Sequence, residues 1–161
     1  MKKLQTILIG MLIGGLLMAG CSGGNSKPVE PELTANEMVD EMLAKVEQPA
    51  MMELPADQVK DIYHIDPETF EEYAIRIPMM NVKTNEVAVM KVKNSDDVPK
   101  VEEAVKQRAE DVQKQFESYL PDQYEIAKNY QVVTKGDYVL FVISDQADEL
   151  VNVFESFFNK Q

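Results

Sequence analysis

The stretch Tyr138-Val139-Leu140-Phe141-Val142-Ile143 is apolar at every position. Alternate residues of a strand face opposite sides of its sheet, so this segment is apolar on both faces, as expected of a central strand. Tyr130 to Thr134 precedes it across Lys135-Gly136, and the two read as a hairpin. In a second hairpin, Glu72 to Met79 alternates Tyr73, Ile75 and Ile77 with Ala74 and Arg76, Asn81 to Asn85 closes the turn, and Glu86 to Lys93 returns with Val87, Val89 and Val92. Pro78 has no N–H to give to a ladder, which predicts that its strand lies at an edge.

Helical periods surround these strands. Thr34 stands three residues before Glu37, a capping-box spacing, and Met38, Val39, Met42, Leu43 and Val46 follow at helical intervals until Pro49. Asp57 to His64 predicts a short helix with Val59, Ile62 and Tyr63 inward, stopped by Asp66-Pro67. A cap around Ser95 to Asp97 opens the longest helix, whose stripe of Val98, Val101, Val105, Val112, Phe116 and Leu120 runs up to Pro121. Asp145 and Asp148 suit the start of a last helix with Ala147, Leu150, Val151, Phe154, Phe157 and Phe158 on one face. The order α-α-β-β-α-β-β-α predicts an α+β, two-layer domain: a four-stranded, mainly antiparallel sheet from two hairpins, with helices packed on it.

Lys2 and Lys3, the apolar run from Ile7 to Met18, and small residues before Cys21 have the layout of an export signal. The run holds Gly10, Gly14 and Gly15 and falls short of the roughly 20 apolar residues that a spanning helix needs. Met18-Ala19-Gly20-Cys21 resembles a lipobox, with Met18 where Leu is commonest. The expected organisation is a signal peptide over 1–20, a lipidated Cys21 with a spacer through residue 33, and one domain over 34–161. Ser22 to Glu32, rich in Gly, Ser and Pro, has an expected reach of roughly 17 to 20 Å. Cys21 is the only cysteine, and acylation consumes it, leaving no thiol for a disulfide, a nucleophile or a sulfur-rich metal site.

The chain has 28 Asp and Glu against 16 Lys and Arg, a formal charge of −12, and loss of Lys2 and Lys3 on cleavage would deepen it to −14. Such a charge repels phosphate backbones, so nucleic acid is not an expected partner. Membrane affinity is expected from the acyl chains on Cys21 rather than from a basic patch.

Glu72-Tyr73, Pro78-Met79-Met80-Asn81, Lys91-Val92-Lys93, Arg108, Tyr119-Leu120-Pro121 and Gly136-Asp137-Tyr138 together carry a further resemblance. Across roughly Glu37 to Phe158 the chain resembles an uncharacterised family of bacterial, Gram-positive lipoproteins with a C-terminal domain of unknown function. The resemblance implies export and lipidation, and it brings no catalytic or ligand-binding residues.

Few side chains suggest chemistry of their own. His64 is the only histidine and has Asp66 nearby, but a cap at the end of a short helix explains it more simply. None of Ser95, Ser118, Ser144 or Ser156 sits in a Gly-x-Ser-x-Gly elbow. Asp96-Asp97, Glu102-Glu103 and Glu110-Asp111 are adjacent acids of the kind that abundance alone produces. Met51-Met52 and Met79-Met80 are soft ligands suited to copper(I), yet apolar packing accounts for most methionines. Arg76 and Arg108, the only arginines, are the candidate ligand-binding residues: each can clamp a ligand carboxylate or pair with a neighbouring acid, and the internal pair is the simpler reading. No catalytic residue, resident metal or cofactor is expected.

These features predict a lipid-anchored domain on the extracytoplasmic face of the cell membrane that binds an envelope protein or a small ligand without catalysis. The alternative is a hydrolase acting on cell-envelope material through two carboxylates about 5 to 10 Å apart. A metal-binding module for copper(I) or calcium is a third class. Replacing Cys21 with Ala is expected to abolish incorporation of labelled palmitate. Label in the Cys21→Ala protein, or none in the wild type, contradicts the lipoprotein reading.

Overall fold

The computed structural model describes residues 30–159; the expected signal peptide, Cys21 and the spacer up to residue 29 lie outside the described residues. The elements are α1 (Ala35–Lys45), β1 (Met51–Glu53), α2 (Ala56–Tyr63), β2 (Phe70–Pro78), β3 (Glu86–Val92), α3 (Val98–Phe116), α4 (Pro121–Lys128), β4 (Gln131–Lys135), β5 (Tyr138–Ile143) and α5 (Ala147–Ser156). The strands form one sheet in the order β1-β2-β3-β5-β4, with every neighbouring pair antiparallel. The α+β class stands; the sheet has five strands rather than four.

β5 lies near the middle of the sheet, between β3 and β4, and all six of its residues are buried. β3 beside it is buried everywhere except Lys91. Val87, Val89, Leu140 and Val142 pack on one face against Met38, Met42, Leu150 and Phe154 of α1 and α5. Ala88, Met90, Val139 and Phe141 pack on the other against Tyr63 of α2, Val101 and Val105 of α3, and Ala127 of α4. Helices therefore cover both faces, and the domain has three layers where two were expected. The reason is the pattern of β5 itself, because a strand apolar on both sides needs apolar cover on both.

Two other expectations change. β2 is an interior strand, since β1 pairs along its outer side with Met51 opposite Pro78; Pro78 is the last residue of β2, and the Met79 N–H donates to the Ala50 carbonyl just beyond it (2.9 Å). Pro121, read as the stop of the long helix, instead begins α4 after α3 has ended at Phe116. The missing N–H of a proline costs nothing at a first helical position.

Local chemistry sets the remaining ends. The Thr34 hydroxyl accepts from the Glu37 N–H (3.3 Å) while the Glu37 carboxylate accepts from the Thr34 N–H (2.9 Å), closing the capping box of α1. Gly136 takes φ 58°, the positive value wanted at the first central position of the tight β4–β5 turn. The chain joins the domain at Glu30, which pairs with Lys91 near the far end of β3 (2.8 Å).

Leu140 and Phe141 are both fully buried and point to opposite faces. Leu140→Ala is expected to lower the unfolding free energy by about 2–5 kcal/mol and Phe141→Ala by about 3–5 kcal/mol. Denaturant unfolding of both proteins checks this; a two-layer domain would leave one of the changes within about 0.5 kcal/mol of wild type, as exposed positions are.

Candidate functional site

Glu86 is the first residue of β3, in phase with Ala88 and Met90 and so directed at the layer of α2, α3 and α4. Among the described residues it is the only charged one that is buried, with a side chain 1% exposed. Thr84, Asn85 and Ser144, the other buried polar residues described, lie beside it in sequence or next to its β5 partner Ile143. A carboxylate removed from water must be paired and hydrogen-bonded. Two elements meet that need. Arg108 of α3 donates from Nε to both carboxylate oxygens (3.1 Å each) and from Nη2 to Oε2 (2.7 Å). Tyr63, the last residue of α2, donates its hydroxyl to Oε1.

Burial pushes the Tyr63 hydroxyl well above its ordinary range, and the neighbouring Glu86 charge pushes it further, so Tyr63 stays a donor. Burial works against the Arg108 charge, but Glu86 outweighs it, and the guanidinium is held above its usual value. The triad is therefore a fixed arrangement of donors around one carboxylate.

Arg108 and Glu86 also line an open depression of about 250 Å³. Its wall is the β2–β3 connection, with Met79, Met80 and Lys83, and the end of α3, with Val112 and Phe116. The connection is pinned where it re-enters the sheet: the Thr84 N–H donates to Gln123 Oε1 (3.1 Å), and Asn85 Nδ2 donates to Gln48 Oε1 (3.0 Å). Before that point it projects, leaving Met79 63% and Met80 51% exposed. The other large apolar side chains exposed among the described residues are Met52, Val82 and Tyr119. Met52 lies in register with Ile77 of β2, Val82 is in the same connection, and the Tyr119 ring is 6.3 Å from that of Phe116. Met79, Met80 and Val82 thus project from one connection, Met52 sits on the strand paired beside its start, and Tyr119 stands next to a residue that lines the depression. Pro78, Met79, Met80, Asn81 and Arg108, quoted separately for the family resemblance, line the same depression.

The two arginines do not converge. Arg76 points to the other face of the sheet, where Nη2 donates to Asn36 Oδ1 (2.6 Å) and Asp40 Oδ1 (2.9 Å) of α1. Its Nη1 is buried without a partner among the described residues. Each arginine has an acidic partner, Asp40 for Arg76 and Glu86 for Arg108.

His64 caps α2 in the left-handed region at φ 55° and stands 3.2 Å from Asp111 of α3, not against Asp66. Asp66 caps the turn at Pro67–Thr69 and pairs with Lys60 (3.0 Å). Ser95, Ser144 and Ser156 bond to Asp137, Gln48 and the Val153 carbonyl, so none of them meets His64. Glu125, Asp145 and Asp148 share a separate open depression of about 290 Å³, but all three are exposed. Among the described residues no group of three or more His, Asp or Glu side chains is placed to hold a metal ion.

Sequence reasoning singled out Arg108 but neither Glu86 nor Tyr63. A usable signal existed, since strand alternation puts Glu86 on the same inward face as Ala88, Met90 and Val92, and an inward acid demands a cation from another element.

Tyr63→Phe removes a donor from a buried carboxylate and is expected to cost about 1–3 kcal/mol at neutral pH. The folded hydroxyl resists ionisation, whereas the unfolded one ionises near pH 10. This contribution to wild-type stability is therefore complete below about pH 10 and falls as pH rises further. The Tyr63→Phe protein does not share the loss, so the gap between the two should narrow above about pH 10 in denaturant titrations.

No curated protein and no solved structure matches the chain. A family comparison matches residues 44–144, more than half of the chain, to a domain of unknown function. The match takes in the whole sheet, α2, α3, α4 and every residue of the Tyr63–Glu86–Arg108 triad, and omits α5 and nearly all of α1. The chain belongs to the DUF4358 family.

Proposed function

We propose that this is a lipid-anchored, non-enzymatic binding module of the bacterial cell envelope, tethered through Cys21 on the extracytoplasmic face and engaging an envelope protein with its methionine-lined corner. The observation that carries the binding reading is the projection of the exposed Met79, Met80 and Val82 from one connection, beside the depression lined by Arg108 and Phe116. Exposed apolar side chains grouped in one segment next to a depression are a feature of interaction sites. Methionine suits the purpose, because a flexible, polarizable side chain adapts to varied partner surfaces.

The anchoring part rests on Lys2, Lys3, the Ile7–Met18 run and Cys21. Among the described residues no helix is long and apolar enough to cross a membrane, which is compatible with a lipid tether. The polarity of the domain supports the pairing of anchor and site. Glu30 meets Lys91 toward one end of β3, and Glu86 begins the other, about 17 Å away at a strand's rise per residue. A tether leaving past Glu30 would hold the methionine corner away from its own attachment point.

A photo-crosslinking residue at position 80 of the full-length lipoprotein, activated in its native membrane, is expected to capture a defined envelope protein. The same group at exposed Glu110, on the solvent side of α3, should not. Equal capture from both positions would contradict the assignment of the corner.

A further inference from the structure

We infer that the depression beside Glu86 is a carboxylate-recognition site, in which Arg108 and Lys83 bind the carboxylate of a partner peptide while Met79, Met80 and Phe116 hold its apolar neighbours. This deepens the binding role proposed above and rests on it.

Charge is the first observation. In a chain where acids outnumber bases 28 to 16, this depression is lined by two cations, Lys83 and Arg108, and one acid, Glu86. That acid is already engaged, with Oε1 accepting from Tyr63 and Arg108 and Oε2 from Arg108. Among the described residues no carboxylate pairs with the half-buried Lys83. Arg108 spends Nε and Nη2 on Glu86, and among the described residues Nη1 makes no hydrogen bond. The site thus has donors and positive charge left over where the rest of the molecule has an excess of acid.

Geometry is the second. Glu86, itself hydrogen-bonded by Tyr63, holds the guanidinium through Nε and Nη2, so the group is ordered before a ligand arrives, which lowers the entropy lost on binding. The surroundings are partly dehydrated, where a charge-assisted hydrogen bond is stronger than in water. At about 250 Å³ the depression is smaller than ordinary small-molecule pockets of roughly 300–1,000 Å³. It fits one carboxylate and an adjoining side chain, as a peptide end or an acidic side chain beside an apolar residue would present them. An anionic lipid headgroup is disfavoured by the formal charge of −12 and by a site at the opposite end of β3 from Glu30.

The test uses the full chain in neutral phosphatidylcholine nanodiscs, with methionine methyl resonances as the readout and N-acetyl-Leu-Phe as the probe, as free acid and as amide. The free acid should move the Met79 and Met80 resonances with a dissociation constant of about 1 mM or tighter, and the amide should bind about tenfold more weakly. Arg108→Gln risks unfolding the domain by stranding Glu86, so Lys83→Gln carries the mutational arm: it should erode the preference for acid over amide, and an undiminished preference overturns the role of Lys83. Equal binding of acid and amide overturns the inference. So does a response to phosphatidylglycerol nanodiscs without one to the dipeptide acid, which would indicate a lipid headgroup instead. No movement with either dipeptide also overturns the carboxylate site, whereas crosslinking from position 80 judges the binding role separately.

Discussion

Pairing between β3 and β5 runs from Glu86 opposite Ile143 to Lys91 opposite Tyr138, and the other elements are arranged around what that pair must hide from water. Both strands are apolar on both sides, so leaving either face bare would expose a row of Val, Leu or Phe side chains. Burying such a side chain is worth about 1.5–3 kcal/mol, and four or more lie on each face. One helical layer cannot satisfy two faces. α1 and α5 close one side and α2, α3 and α4 the other, and β1, β2 and β4 extend the sheet outward from the pair.

The same register delivers Glu86 into the apolar layer, and from there its needs dictate local geometry. A buried ion pair is weak evidence for stability, because desolvation offsets much of the attraction. Its stronger effect is positional. Arg108 must face the end of β3 and Tyr63 must stop at the end of α2, so three elements separated in sequence are held at mutual distances set by hydrogen bonds. The outer edge of that arrangement meets the depression walled by the exposed Met79 and Met80.

Much of the fold was readable from local pattern. The bounds of β5 follow from six apolar residues and a glycine turn, and the capping box of α1 follows from Thr34 and Glu37. What failed was relational. Met38 and Met42 of α1 and Val101 and Val105 of α3 both announce a helix that covers a sheet, yet nothing in either stripe says which face. The clue lay in β5, whose two apolar faces already required a third layer. β1 has three residues, too few for a period to show, and Pro78, with no N–H to donate, made β2 look like an edge. α4 was lost because a proline ends one helix as readily as it begins the next. Within the site, Arg108 stood out as one of two arginines, whereas Glu86, 22 residues away from it, gains its meaning only through packing across layers.

The span matched by the family and the span that completes the fold are not the same. Residues 44–144 contain the sheet and one helical layer, while α5 and nearly all of α1 fall outside. A chain cut to that span would present Val87, Val89, Leu140 and Val142 to water as an open, adhesive plane. In this chain α1 and α5 are the roof over that plane, so the second face of the sheet is closed by segments lying almost wholly outside the span that defines the family.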